Sequence, residues 1–398
     1  MNTAQTLKYI WQHPSWPRCH YDMHVLAEPL AHARAQLGLL AGKAFAIGFG
    51  TASMQHLGQE VWVQEAIATA AIEDQSLNIE HVRSSVMRKL GFSDTRSSPH
   101  HVDGLVEVMF DATKNAGDRL TIDRLCRWQA ALFPAGFSGI HRIQVGQFRN
   151  SIEPMQIVSG SVGKEVVHYL APPSSKVYEE IEIFLEWFNA PPEQTYYVDG
   201  LVRAAIAHLW FETIHPFEDG NGRIGRVIVD MALAQDEQLK LLGIEGLTRL
   251  SGTLLAHRKE YYDVLNAAQK LSHTEDLNIT DWVTWFLRQL VSACQNSEQH
   301  MNYAIQKARF WSSHTQTNFN PRQRKVLQKL LDAGDGGFVG GLSADKYAKM
   351  TSTSKATATR DLGDLLQKKA LLSYGIGKAT RYLIHVEGWN QDLSISPQ

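Results

Sequence analysis

The chain has 398 residues, 44% of them hydrophobic and 20% charged, with a formal net charge of −2. That length can bury a sizeable core and suits two or three domains, and the near-neutral balance argues against a dominant polyanionic partner. Three well-separated cysteines (Cys19, Cys126, Cys294) argue for reduced thiols, no apolar run reaches the ~18 residues of a membrane span, and the first twenty residues lack the basic tip and apolar stretch of a secretory signal; the reading is a soluble cytoplasmic protein with no membrane partner.

Most of the chain carries helical periodicity. Leu30, Ala33, Leu37, Leu40 and Ala44 recur at helical spacing, as do Val61, Glu65, Ile67 and Ile72 less strictly. Trp11 and Trp16 are expected to pack on this first bundle. Residues 91–101, rich in Ser and Gly, read as a connection. Residues 120–133 read as a helix, and 134–153, with Gly136, Gly139 and Gly146, as a less regular stretch. The period then changes: residues 155–158 and 165–169, around Ser159-Gly-Ser-Val-Gly163, form the best hairpin candidate. Helices are expected over 178–188, 261–270 and 281–304, the last with Trp282, Phe286 and Leu290 on one face. Polar residues 312–321 read as a linker to a small basic module.

One short segment concentrates the chemistry, His215-Pro-Phe-Glu-Asp-Gly-Asn-Gly-Arg-Ile-Gly-Arg226. Gly220 and Gly222 around Asn221 let the backbone approach a ligand closely. A helix starting there points free N–H groups and its positive dipole end into the loop, which suits an anion. Arg223 and Arg226, three apart, reach phosphate oxygens with forked hydrogen bonds. Asp219 is a hard oxygen ligand suited to Mg²⁺, and His215 is the side chain best matched to general-base work near neutral pH. The bland alternative is an ordinary turn with solvated arginines. His100-His101 lacks metal-ligand spacing.

The segment closely resembles the signature of the Fic (Fic/Doc, or Fido) family, matching it at every fixed position. The resemblance implies a protein adenylyltransferase that moves AMP from ATP to a Ser, Thr or Tyr hydroxyl of a target protein. It implies His215 as base, Asp219 as Mg²⁺ ligand, and the loop N–H groups with Gly220, Asn221 and Gly222 as an anion hole for the α- and β-phosphates. Arg223 would bind the β-phosphate and Arg226 the γ-phosphate, while Phe217 anchors the loop. The hairpin corresponds to the family's flap, with Gln156, Ile157 and Val158 registering the target by main-chain pairing. Tyr262 would lie near the adenine, with Gln269 loosely placed as the base contact; Tyr261 and Tyr262 could equally be core.

Thr69-Ala-Ala-Ile-Glu73-Asp74 resembles the family's inhibitory motif. Glu73 would pair with Arg226 and keep the γ-phosphate from seating. Asp74 stands where the family has Gly or Asn, which leaves the local turn geometry open. From 320 to 387 the chain has twelve Lys or Arg against six Asp or Glu. Helices over 322–331, 343–350 and 354–368 and strands over 371–374 and 382–385 resemble a winged helix-turn-helix. In that resemblance Lys355, Thr357 and Arg360 would face a DNA major groove; docking or dimerisation is the alternative use.

The fold class implied is mainly α: an N-terminal helical domain with the inhibitory motif (1–92), a Fic-type helical bundle with a β-hairpin flap (116–294), and a winged-helix-like module (318–390). The partners implied are ATP, a hydroxyl-bearing protein target and a homodimer, the last encoded in no pattern of the chain. Two alternatives stay open: AMP removal or transfer of another phosphate-containing group, and a DNA-binding regulator with a nucleotide-sensing Fic domain.

Overall fold

Helical periodicity dominates the computed structural model, which describes residues 8–47, 52–92, 97–159, 166–191, 198–243, 248–271 and 276–389. Residues 1–7 of the polar start, 93–96 of the expected connection, the expected hairpin tip at 160–163, residue 165 of the expected second strand and residue 390 lie outside the described residues. The chain divides into two units, 1–298 and 299–398.

In the first unit come α1 (Met23–Ile47), α2 (Ala52–Ile72), α3 (Ile79–Lys89), α4 (His100–Lys114) and α5 (Ile122–Leu132). Two short antiparallel pairs follow, β1 (Phe137–Ser138) with β2 (His141–Arg142) and β3 (Gln156–Ser159) with β4 (Val166–Leu170). Then come α6 (Val177–Asn189), α7 (Gly200–Ile214), α8 (Asn221–Gln235), α9 (Glu237–Leu242), α10 (Ser251–Ala256) and α11 (Arg258–Ala268). The unit boundary falls within α12 (Thr280–Ser313).

The centre is the pair α7 and α8. Almost every residue of both is buried, the mark of a helix surrounded on all faces. Asp199 caps α7 by accepting from Leu201 N–H at 2.8 Å. The helices α2, α4 and α5 pack on α8, and α6 on α7. The α12 indole of Trp282 donates to Ala205 O at 2.9 Å.

Buried charge fixes α2 against this core. Asp230 of α8 accepts from Arg249 at 2.7 Å, and the Arg249 guanidinium lies 3.9 Å from the Trp62 ring centre. Glu65 of α2 accepts from Ser251 N–H at 3.1 Å. Burial, with Asp230 nearby, pushes the Glu65 carboxyl up to about 7. The C-terminal end of α2 is thereby held over the start of α8.

Trp11 and Trp16 depart from expectation. Trp11 Nε1 donates to Leu170 O at 2.8 Å, and Trp16 Nε1 donates to Glu180 at 2.8 Å while its ring meets Trp210 edge-on at 5.9 Å. Both pack on the hairpin and on α6 and α7, not on the first bundle, because those elements offer each indole N–H an acceptor beside apolar surface.

The second unit holds α13 (Pro321–Ala333), α14 (Ala344–Thr351), α15 (Lys355–Gln367) and the antiparallel pair β5 (Leu371–Tyr374) and β6 (Arg381–Ile384). Asn320, Ser343 and Ser354 cap its three helices. Lys355 and Arg360 are exposed; Lys355 pairs with Asp345 at 2.9 Å. Residues 312–321 are not a free linker. The helix α12 continues to Ser313, and Phe310 and Phe319 are buried in one core with Val326, Leu330 and Leu362.

Candidate active site

The loop after α7 is built from the backbone outward. His215 ends the helix in the left-handed region (φ 50°, ψ 61°), its N–H donating to Phe211 O at 3.0 Å. A non-glycine residue adopts that conformation at a cost and needs support. Arg149 supplies it. Its guanidinium donates to His215 O at 2.7 Å, Ile214 O at 3.1 Å, Pro172 O at 2.6 Å and Ser174 Oγ at 3.0 Å. Burial pulls the Arg149 pKa down to about 10.

Phe217 is fully buried, its ring 5.2 Å from that of Phe148. Asn221 accepts from Phe217 N–H at 2.9 Å and donates to Phe217 O at 2.8 Å. Its side chain shapes the loop, so the expected anion hole falls to backbone groups. Gly220 has φ 93° and caps α8 without a side-chain acceptor; a Cβ there would lie 2.9 Å from the Phe133 ring. The first N–H groups of α8 therefore face the loop uncapped.

His215, Glu212, Asp219, Gly220, Asn221, Gly222, Arg226, Glu73, Ile157, Val158, Tyr261, Tyr262 and Gln269 line one cavity of about 830 Å³. Several buried polar atoms at this place have no hydrogen-bond partner: His215 Nδ1, Glu212 Oε1 and Arg226 Nη1. Burial, then the Arg149 charge, pulls His215 down to about 4, so the imidazole is neutral at pH 7 with a lone pair available. Asp219 is partly exposed, accepts from Gly220 N–H at 2.5 Å and hydrogen-bonds Ser138 Oγ. Among the described residues no group of three or more His, Cys, Asp or Glu is arranged to hold a metal ion.

Arg226 is buried and held on three bonds. Nε donates to Thr69 Oγ1 at 2.7 Å, and Nη2 donates to Thr69 O at 2.9 Å and to Glu73 Oε1 at 2.8 Å. Glu73 raises the Arg226 pKa against the opposing effect of burial. The same carboxylate closes on the helix start: a Cβ on Gly222 would lie 2.2 Å from Glu73 Oε1.

The turn carrying Glu73 resolves the question of Asp74. Gln75 N–H donates to Ala70 O at 3.0 Å and Asp74 N–H to Ala71 O at 3.1 Å, the double bond pattern of a Schellman helix end. Asp74 takes the left-handed place with φ 56°, which Asp tolerates as Asn does. Arg258 donates to both Asp74 oxygens, at 2.6 and 2.7 Å. Tyr262 donates to Ile72 O at 3.3 Å.

Arg223 does not line that cavity. Arg223 lines a neighbouring cavity of about 790 Å³ with Gln75 and Phe133. Gln75 accepts from it at 3.2 Å, its guanidinium lies 4.7 Å from the Phe133 ring centre, and its Nη2 lies 3.7 Å from Asp219 Oδ1 of the loop. Tyr261 is core, its hydroxyl 2.8 Å from His208 Nε2, whereas Tyr262 is 39% exposed at the cavity wall. Residues 156–159 pair with 166–170 in antiparallel register with an irregularity between Ile157 and Val158; Val158, Val166 and Val167 are exposed. Arg149, Glu212 and Ser138 were not anticipated. Glu212 lies one turn before His215 on α7, a spacing visible in the sequence. Arg149 carries no local signal.

Residues 119–233, which span the loop, match the Fic/DOC family. The chain carries a Fic/DOC family domain. Residues 9–92 match a domain of unknown function, DUF4172. The Fic-bearing chain is 22% identical over 223 residues to "Protein adenylyltransferase Fic" of Culex quinquefasciatus, covering 55% of this chain and 39% of that protein. It is 29% identical over 127 residues to a probable protein adenylyltransferase of Aquifex aeolicus, covering 26% of this chain and 38% of that one. The chain thus matches less than half the length of these curated relatives. A solved Fic family protein from Desulfovibrio desulfuricans G20 superposes with a TM-score of 0.48 at 19% identity, covering 91% of this chain and 97% of that one.

Proposed function

We propose that this protein is a protein adenylyltransferase that transfers AMP from ATP to a target hydroxyl and is held inactive by Glu73. One observation carries the reading: the His215 imidazole, which burial holds in the neutral form, shares a cavity with the uncapped start of α8 and with Arg226. A polyphosphate fits the backbone donors and the guanidinium, and a hydroxyl fits beside His215. His215 Nε2 takes the hydroxyl proton, the oxygen bonds to the α-phosphorus, and pyrophosphate leaves. Catalysis rests on positioning and charge stabilisation. Val158 and its strand offer an exposed edge for main-chain pairing with the target.

Asp219 fits a Mg²⁺ ion as a single, partly exposed carboxylate, because Mg²⁺ keeps most of its shell for water and phosphate oxygens. When bound it would neutralise phosphate charge. Glu73 occupies the Arg226 edge that a γ-phosphate would need.

The test is incubation with α- or γ-labelled ATP and Mg²⁺. Protein-bound α-label that vanishes in His215→Ala, with ATP binding retained, supports the reading. Transfer of γ-label only, or normal transfer by His215→Ala, refutes it. The second unit is proposed as a winged-helix module; salt-sensitive retention on duplex DNA that Lys355→Ala with Arg360→Ala weakens would assign it to DNA, and salt-insensitive or absent retention would remove that assignment.

A further inference from the structure

We infer that Glu212 is a positioning residue for the His215 base, orienting the imidazole through Nδ1 and supplying countercharge as Nε2 takes up the proton. The inference rests on the adenylyltransferase reading above. The two side chains lie one turn apart on the same helix end, with Nδ1 and Glu212 Oε2 3.7 Å apart. Glu212 is buried and the His215 side chain is 15% exposed; His215 Nδ1 has no side-chain hydrogen-bond partner, and neither has Glu212 Oε1. Unpartnered buried polar groups are costly, and an imidazole Nδ1 that faces a buried carboxylate oxygen beside the cavity gains from that neighbour once the ring takes up a proton. Hydrogen bonds of this kind are often long before substrate binds. The carboxylate cannot drift away, because α8 packs hard against it: a Cβ on Gly225 would lie 2.4 Å from Glu212 Oε1.

The charged and titratable groups around Glu212 are Arg226 from α8, Glu73 from the turn after α2, Tyr261 from α11, and His208 on its own helix. Arg149 and Asp219 act on His215. Burial outweighs the favourable Arg226 charge and pushes the Glu212 carboxyl up to about 8. The competent pair is a neutral imidazole beside an ionised carboxylate. When the target O–H bond breaks and Nε2–H forms, the pair carries one added proton and no net charge. The oxygen–phosphorus bond forms as pyrophosphate departs, and the proton later passes to water. With Glu212 protonated, the same step would leave an uncompensated cation in a dry site.

The experiment compares Glu212→Gln with its parent in a Glu73→Gly background, reading self-modification from α-labelled ATP across pH 6–9. It also reads the ¹⁵N signals of His215 in otherwise wild-type protein. The expected results are a kcat at least about tenfold lower at pH 8 with KM for ATP unchanged, and loss of the rising limb that the parent shows toward pH 8. Glu212→Asp should restore part of the rate. The His215 ¹⁵N signals of the parent should report the Glu212 ionisation as an inflection toward pH 8, and Glu212→Gln should lose that inflection and shift the tautomer balance. A Gln variant with the parent's kcat, pH limb and His215 titration overturns the inference. His215→Ala that still transfers label overturns the base reading instead, and the ¹⁵N titration then decides alone whether Glu212 governs the imidazole.

Discussion

On the adenylyltransferase reading, Glu73→Gly should raise transfer, and the structure sets the size of the effect. The substitution deletes the carboxylate that accepts from Arg226 Nη2 at 2.8 Å and that crowds Gly222. A charge-assisted hydrogen bond of this type is worth about 1.5–3 kcal/mol. Glu73 is only partly buried (31% side-chain exposure against 4% for Arg226), so the lower half of that range applies. At about 1.4 kcal/mol per decade, competition between Glu73 and a γ-phosphate for one guanidinium gives roughly a 10- to 50-fold rise in kcat/KM. Arg226 keeps both bonds to Thr69, so the variant should fold with an unchanged melting temperature. The assay is incorporation of α-labelled ATP into the protein and candidate targets, with ATP affinity measured in parallel by calorimetry. A folded Glu73→Gly protein whose transfer rate equals wild type would refute the competition argument, whatever the affinity.

Thr69→Ala removes the acceptor of Arg226 Nε and should loosen the same guanidinium, raising transfer less than Glu73→Gly in the same assay. Asp74→Gly keeps the left-handed turn but loses the exposed Arg258 pair; its activity gain should be small and should disappear at high salt, as a salt titration of label incorporation would show. Arg149→Met removes four donor contacts around a buried group and should cost roughly 3 kcal/mol or more, read as a lowered midpoint in urea. Glu212 has a folded pKa raised from 4.5 to about 8. Its contribution to stability is complete below about pH 4.5 and is lost as pH rises through 8. Glu212→Gln should therefore be more stable than wild type at pH 8.5 but not at pH 5, by thermal melts at both pH values.

The helices of the second unit follow local capping and periodicity, so their spans were legible within a residue or two. The stretch 215–226 forms one loop and helix start because its glycines and Asn221 act within five residues of each other. The Glu73 pairing spans 153 residues and was reachable only through the resemblance. What stayed hidden has a common cause. Trp11, Trp16 and Arg149 find their partners 23 to 194 positions away, where neither period nor spacing speaks. The contacts of Arg223 with Phe133 and Gln75 join segments that no local pattern connects. The linker expectation failed because polar composition outweighed Phe310 and Phe319, two aromatics that fill a core.

A single guanidinium reaches three carbonyl oxygens from two stretches of chain, Pro172 just beyond the hairpin and Ile214 with His215 at the helix end. A pull on the β3–β4 pair passes through Pro172 and Arg149 to the peptide planes that aim the imidazole. Under the proposed activity, reading of the incoming polypeptide and readiness of the base would become one mechanical event, so a badly seated guest would meet a poorly aimed catalyst.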